Sequence, residues 1–356
     1  MNIIHLVSNK VWGGGEQYVL DLCRHLDADG HSVAVITRGI DAVDAPFVRA
    51  GFTPGHLPLG GVFDFISASR LARVLDSITP PVVVHVHNFK DARTAVRARR
   101  MMRNPAGTRI VATRHLVKAG KTDSASTALY HDIDAIAFVS QTALDAFLAS
   151  KQTVDRDKLC VIHNAVSDKG GVRPLDKPEG EVRVVYAGRL AAEKGIEKLI
   201  EAVPSFPSCV RLHVAGSGKA NYEIALRRYA SAAGVTDRVV WHGYMADPSP
   251  LMASADIGVV PTIACEAFGL TVVEFMQQGV PVVATGNGGP REIISDGTDG
   301  ILVPPGDAGA ISRAVSMLAG DKAMREKMAA EARKKVADKF AYDKFYKEIL
   351  KLYDCH

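Results

Sequence analysis

Short apolar runs alternate along the chain with longer stretches whose apolar residues recur at helical spacing. In the first half the runs fall at 3–7, 33–37, 82–87, 109–113 and 135–139, with helical stretches at 16–26, 67–77 and 91–102 between them. Near-continuous Val and Ile runs mark strands buried on both faces, and strands separated by helices pair in parallel. Between 167 and 181 the pattern stops. That stretch, SDKGGVRPLDKPEGE, is rich in Gly, Pro and charge and reads as a linker. A second series of runs follows at 182–187, 211–215, 238–241, 257–261, 281–284 and 301–303. After Asp307 the pattern is helical, with a charged stretch at 321–339 and a last helix near 342–353.

The expected fold is therefore α/β, with two Rossmann-like doubly wound domains facing across a cleft. Their expected spans are 1–168 and 182–340, and 341–356 is expected to form a C-terminal helix that packs back on the first domain. Ligands of such sheets bind beyond the carboxyl ends of the strands, which favours a cleft enzyme acting on a nucleotide-like substrate.

Composition narrows the class. Of 356 residues, 47% are hydrophobic and 23% charged, the balance of a soluble globular protein. No apolar run approaches the roughly 20 residues that span a bilayer. The opening Met-Asn-Ile-Ile-His-Leu-Val has no basic n-region and no small-residue cleavage site, so it reads as a first strand and a cytoplasmic location is expected. Five scattered cysteines without a C-x-x-C pair indicate reduced thiols, with neither a zinc site nor a disulfide framework. The net charge of +4 sits in the first half: residues 1–165 carry 19 Lys and Arg against 15 Asp and Glu. Nine basic residues and no acidic one lie between Arg93 and Lys121, an acceptor-side signal.

Three segments carry candidate chemistry. Gly13-Gly14-Gly15-Glu16 follows the first strand and opens a helix. Glycines there let the backbone approach an anion and the bare N–H groups attract it, although a tight turn needs them with no ligand at all. Gly188-Arg189-Leu190-Ala191-Ala192-Glu193-Lys194-Gly195 follows the first strand of the second series. An Arg fork and a Lys point charge suit a diphosphate; the bland alternative is two solvated cations on a loop.

The third segment runs from Glu266-Ala267-Phe268-Gly269-Leu270 to Glu274. A helix starting near Gly269 offers N–H groups and its dipole to a diphosphate. Glu274 is expected in the first turn, where Thr271-x-x-Glu274 also matches a capping box, and Glu266 has the alternative of a solvated loop residue. Eight helical residues span about 12 Å. That exceeds the roughly 5–9.5 Å between the carboxyl groups of a glycosidase. The two glutamates more naturally grip the sugar and the ribose of one elongated nucleotide-sugar.

With these residues in order, the chain resembles retaining glycosyltransferases of the GT-B fold, glycosyltransferase family 4 (glycosyl transferases group 1). The likeness adds Val214-Ala215-Gly216-Ser217-Gly218, Trp241-His242-Gly243-Tyr244, Gly288-Gly289-Pro290-Arg291-Glu292 and Gly300-Ile301-Leu302-Val303. It implies an acceptor-binding first domain and a donor-binding second one. It assigns the donor diphosphate to Arg189 and Lys194, the ribose hydroxyls to Glu274 and the hydroxyls of the transferred sugar to Glu266. Backbone N–H groups of Phe268, Gly269 and Leu270 would add to the phosphate site, Gly243 and Tyr244 would border the base, and Gly14, Gly15 and Gly216 would line the donor. His115 would be the cleft histidine near the transferred sugar, so the implied catalytic set is Glu266, His115, Arg189 and Lys194. The resemblance further implies retention, a UDP-sugar before a GDP-sugar, a glycan or lipid-linked acceptor, and cell-surface polysaccharide or glycolipid synthesis. No nucleic-acid partner is expected.

Other features are read more plainly. His85 and His87 are expected on opposite faces of their strand, with His87 the one that reaches the cleft. Arg93, Arg97 and Arg100 share a helix face at i, i+4, i+7; a solvated face is the default, and contact with anionic membrane or a phosphate-bearing acceptor is the functional version. Asp132-Ile133-Asp134 has the D-x-D form of a metal site but reads here as a solvated turn, so no metal or other cofactor is expected. Gly216-Ser217-Gly218-Lys219 lacks the P-loop hydroxyl, because Ala220 follows. The competing functions are a nucleotide-sugar epimerase on the same scaffold and a non-catalytic nucleotide-sugar-binding protein.

Overall fold

A computed structural model describes the whole chain except Val62, Lys151, Gln152, Asp168, Lys169, Cys355 and His356. The chain divides into two units, one of Met1–His163 with Asp343–His356 and one of Asn164–Tyr342.

Among its described residues the first unit holds seven strands: β1 (Asn2–Leu6), β2 (Ser32–Thr37), β3 (Gly55–His56), β4 (Val82–Val86), β5 (Thr108–Arg114), β6 (Ala135–Phe138) and β7 (Leu159–Val161). They form one sheet of order β3-β2-β1-β4-β5-β6-β7, and every pair is parallel. The central β4 is buried along its whole length, which accounts for its four valines around His85. Strands β3 and β7 are not apparent in the sequence; they are sheet edges of two and three residues, too short to leave a periodic run. The segment Asp343–His356 contributes a helix, Tyr342–Tyr353, whose last residue is 1% exposed. The Tyr353 hydroxyl lies 2.7 Å from Nδ1 of His85 on β4, and the Leu352 carbonyl accepts a hydrogen bond from Arg109 of β5 at 2.7 Å.

The second unit holds β8 (Val182–Ala187), β9 (Val210–Ala215), β10 (Val239–Gly243), β11 (Ile257–Val260), β12 (Val282–Thr285) and β13 (Ile301–Val303). Their order is β10-β9-β8-β11-β12-β13, again all parallel. One apolar cluster, including Val184, Leu199, Leu212, Val259, Val283 and Ile311, fills the space between sheet and helices. The described residues of the stretch expected as a linker carry no helix or strand, and several are tied to this unit. Leu175 N–H donates to the Pro250 carbonyl at 3.1 Å and Lys177 pairs with Asp256 at 2.6 Å; just before the stretch, Val166 bridges Ala341. Asp168 and Lys169 of that stretch lie outside the described residues. No helix among the described residues is long and apolar enough to cross a membrane.

Candidate functional site

Each sheet order reverses direction once: between β1 and β4 in the first unit and between β8 and β11 in the second. The loops leaving two adjacent strands diverge there to opposite faces and leave a crevice for ligand.

In the second unit four loops meet above that point. Those after β8 and β9 are bridged at Leu190 and Gly218, and those after β11 and β12 at Glu266 and Gly288. The two pairs are tied together by Ile263 N–H, which donates to the Glu193 carbonyl at 2.9 Å. Such close approach is open only to glycine, as two of the joints show. A Cβ on Gly216 (φ +138°) would sit 1.8 Å from the Gly188 carbonyl oxygen, and one on Gly195 (φ +71°) would sit 2.0 Å from that of Pro261.

This frame brings Lys194 to Glu266, with Nζ 2.5 Å from Oε2. Thr262 Oγ1 donates to the same oxygen at 3.4 Å. Arg189 is directed elsewhere: its guanidinium is 65% exposed and pairs with Glu193 at 2.8 Å, while Tyr186 O–H donates 2.7 Å to its carbonyl. Glu193 is thus the partner that the sequence reading missed, although the i, i+4 spacing to Arg189 signals it.

The helix Leu270–Gln277 begins at Gly269, whose left-handed φ of +105° turns the chain sharply into it. This corrects two expectations. The first turn holds no acidic residue, because Glu274 is the fifth helical residue, and Thr271 lies inside the helix rather than capping it. The left-handed glycine starts the helix earlier than a Thr cap would. Phe268 is 2% exposed and packs on Phe340, so its side chain belongs to the core, and Leu270 and Glu274 are half-buried. Gly243 has a left-handed φ of +70° and its carbonyl accepts from Gly216 N–H at 2.7 Å. Tyr244 beside it is 70% exposed.

In the first unit the glycine loop places Gly13 as the N-cap of the helix Gly14–Ala28. Gly15 and the buried Glu16 line a cavity of about 150 Å³ with Ser8, Asn9, His87 and His115. Glu16 accepts from Asn9, and burial pushes its carboxyl above the ordinary range. A larger cavity of about 300 Å³ adjoins the start of the helix Phe89–Met101, and His87, Arg93 and His115 line it as well.

His85 and His87 lie on the same side of the sheet, not on opposite sides. Side chains alternate with period two, so residues two apart share a face. Their ring centroids are 4.3 Å apart. His5, which pairs in register with His85, joins them, with its Nδ1 3.1 Å from His87 Nε2. These three offer ligand atoms within 4.8 Å of one another, close enough to gather a metal ion. The ring nitrogens of His85, however, are held by the Tyr353 and Thr113 hydroxyls at 2.7 and 2.8 Å. Burial holds all these rings neutral, with His5 pushed down to about 3, His115 to about 4, and His85 and His87 well below the ordinary value. Of His85 and His87, only His87 lines the two cavities.

The three arginines of the helix face have separate partners. Arg93 donates to Ser126 Oγ at 2.9 Å, Arg97 lies over the Phe65 ring at 4.6 Å, and Arg100 pairs with Asp132. Asp134 pairs with Arg99 and accepts from Ile110 N–H at 2.7 Å. Asp134 therefore ties this helix to the sheet, and Asp132, the last residue of the helix Ser124–Asp132, ties it to that helix; they are not a solvated turn.

Two family descriptions match the chain: "Glycosyltransferase Family 4" over residues 12–169 and "Glycosyl transferases group 1" over residues 172–335. An uncharacterised glycosyltransferase of Methanocaldococcus jannaschii is 25% identical over 97% of this chain and 95% of its own length. The lipopolysaccharide core biosynthesis glycosyltransferase LpsE of Rhizobium meliloti is 32% identical over 50% of this chain and 51% of its own length. Among solved structures, Anabaena HepE in complex with UDP and glucose superposes with a TM-score of 0.84 at 19% identity, covering 99% of this chain and 98% of that one. Both parallel sheets thus take the GT-B fold, and the chain belongs to the group 1, family 4 glycosyltransferases.

Proposed function

We propose that this glycosyltransferase moves a hexosyl unit from a UDP-sugar to a hydroxyl of a glycan or lipid-linked acceptor, with retention of configuration and without a metal ion. One observation carries the reading: Lys194 and Glu266 meet at 2.5 Å above the switch point of the second sheet. A cation for the diphosphate thus stands beside a carboxylate for sugar hydroxyls. The HepE complexes with UDP and with UDP-glucose support uridine as the base. The relation to LpsE supports a cell-surface glycolipid or polysaccharide acceptor.

Breaking the bond from the anomeric carbon to phosphate leaves negative charge on the diphosphate. Lys194, Arg189 once it leaves Glu193, and the N–H groups at Gly269 and Leu270 stabilise that charge. One such preorganised donor contributes about 2.7–4 kcal/mol to the transition state. Glu266 holds the sugar hydroxyls, Glu274 the ribose, and Tyr244 with Gly243 borders the base. His115 and His87 act as neutral hydrogen-bonding groups toward sugar and acceptor, and the departing phosphate takes the acceptor proton.

Thermal stability against a nucleotide panel, with and without EDTA, tests this. A ligand at about 100 times its Kd adds roughly 2.7 kcal/mol. UDP is expected to raise the melting temperature, with or without EDTA, and Lys194→Ala to erase the shift. Stabilisation by GDP alone would change the base, and stabilisation by no nucleotide would overturn the assignment.

A further inference from the structure

Among the described residues, the larger cavity of the first unit is lined by five cationic side chains, Lys90, Arg93, Arg114, Lys118 and Lys121, and by no carboxylate. Its volume, about 300 Å³, lies at the lower end of the range that small-molecule sites occupy, about 300–1,000 Å³. The helix Phe89–Met101 starts in its wall, adding the positive end of a 13-residue dipole.

Two of the cations, Arg93 and Arg114, are set in place by contacts of their guanidinium groups. Arg93 is braced by Ser126, whose hydroxyl donates to Asp123 at 2.8 Å. Arg114 stacks over the rings of Phe89 and Phe147, 4.9 and 5.2 Å from their centroids, and donates 2.5 Å to the Lys118 carbonyl. That last bond curls the loop 114–118 back, so that both its cations line one cavity. Three buried polar atoms of the lining, Arg114 Nε, His115 Nε2 and His87 Nδ1, have no hydrogen-bond partner among the described residues. A buried polar atom left so costs free energy, which a bound polar group would recover. Arg97 and Arg100 are not among the lining residues.

We infer that this cavity is a phosphate subsite of the acceptor: the acceptor carries a phosphate group, gripped by Arg93, Lys118 and Lys121 with Arg114 behind them. The inference rests on the transferase reading for its purpose, but the site itself lies wholly within the first unit and can be tested without donor. Five cations without a carboxylate would hold a neutral sugar poorly and a phosphate well.

The test uses the full chain at low salt, by calorimetry with glucose 6-phosphate, glucose and glucuronate, and by co-sedimentation with vesicles of phosphatidylglycerol or phosphatidylcholine. The variant is the triple Arg93→Gln, Lys118→Gln, Lys121→Gln, checked by circular dichroism, with the single Lys121→Gln as a milder second. Binding of glucose 6-phosphate at least tenfold tighter than glucose, weakened at least tenfold in the triple and partly in the single, supports a soluble phosphorylated acceptor. Sedimentation with phosphatidylglycerol alone, lost in the triple, supports the same subsite filled by a lipid phosphate. Glucuronate binding as well as glucose 6-phosphate overturns the phosphate assignment, and so does wild-type binding to neither phosphate source or a triple that binds like the wild type. UDP affinity is measured alongside and is expected to stay within twofold in the triple. Loss of UDP binding in the wild type would defeat the transferase reading while leaving the phosphate result to stand by itself.

Discussion

Lys194 and Glu266 come from loops after strands β8 and β11, 72 residues apart in sequence, and meet with Nζ 2.5 Å from Oε2. Both side chains are largely shielded, so their pairing holds each head group in position before ligand arrives. Removing either partner leaves a poorly solvated charge behind, which usually costs more than an exposed pair would. Lys194→Ala is expected to lower kcat/KM by about 10²–10³, the loss seen when one donor to developing charge is deleted. Glu266→Gln, which keeps shape and one acceptor oxygen, is expected to retain UDP affinity and lose sugar transfer. Steady-state kinetics beside UDP titration separates the two; equal effects on both readouts would contradict the division of roles.

The glycine joints of the second unit predict a different failure. Gly216→Ala places its Cβ against the Gly188 carbonyl with no flexible side chain to yield. The loops after β8 and β9 must separate, and a loss of about 2 kcal/mol or more is expected from backbone strain at a left-handed position. Gly234→Ala, also at positive φ but with no atom of the described residues within 4 Å of the added Cβ, serves as the control for strain alone. A melt in which both variants fall equally would show that the close approach contributes nothing.

Stability should fall on mild acidification. His115 has its pKa lowered to about 4 by burial, against 6.5 in the unfolded chain. The unfolded state therefore takes up a proton as pH falls below about 6.5 and the folded state does not until about 4. Stability present above that window is lost within it, at about 1.4 kcal/mol per pH unit for one proton. His115→Asn should flatten the slope of melting temperature between pH 6.5 and 4.5. An unchanged slope would mean that the ring is already protonated or free to leave the cavity wall.

Asp91 titrates with the opposite sign. Burial raises its carboxyl to about 6, against 3.8 in the unfolded chain. Its contribution is full below about pH 4 and is lost as pH rises through about 6. Asp91→Asn keeps an acceptor for Asn88 Nδ2, which now lies 2.7 Å from Asp91 Oδ2. It should raise the melting temperature at pH 8 relative to wild type and change little at pH 4. A gain of the same size at both pH values would argue against a buried charge.

Tyr353→Phe removes the hydroxyl that meets His85 at 2.7 Å and leaves a buried ring nitrogen unsatisfied. A loss of about 1–3 kcal/mol is expected. Chemical denaturation of the variant measures it, and a neutral result would mean that water replaces the hydroxyl.

Strand runs were legible because parallel strands buried on both faces are largely apolar, as in the valines of β4. All six runs of the second unit became strands, while the edge strands β3 and β7 left too few residues to show a period. Lys194 and Glu266 were legible as separate motifs, but their meeting depends on strand order, which local pattern does not encode. His5 went unnoticed because only the register of β1 on β4 sets it opposite His85. The misplacement of Glu274 came from Gly269: a left-handed glycine and a Thr cap both begin helices, and the chain uses the glycine. The acid-free basic run from Arg93 to Lys121 was visible at once, yet only three dimensions sort Arg93 into a cavity and Arg97 onto a phenylalanine ring.

The helix ending in Tyr353 completes a unit that begins at Met1, with the whole second unit lying between them in the chain. On the ribosome the first sheet is therefore made early and finished last. His85 waits for its tyrosine until about 180 residues of the second unit, Asn164–Tyr342, have been synthesised. At about 5–20 residues per second that delay lasts some 9–36 seconds. The second unit is continuous in sequence and can close before the first does. Assembly would then run against chain order, and partially made chains would expose the flank of β4 and β5 that the last helix covers.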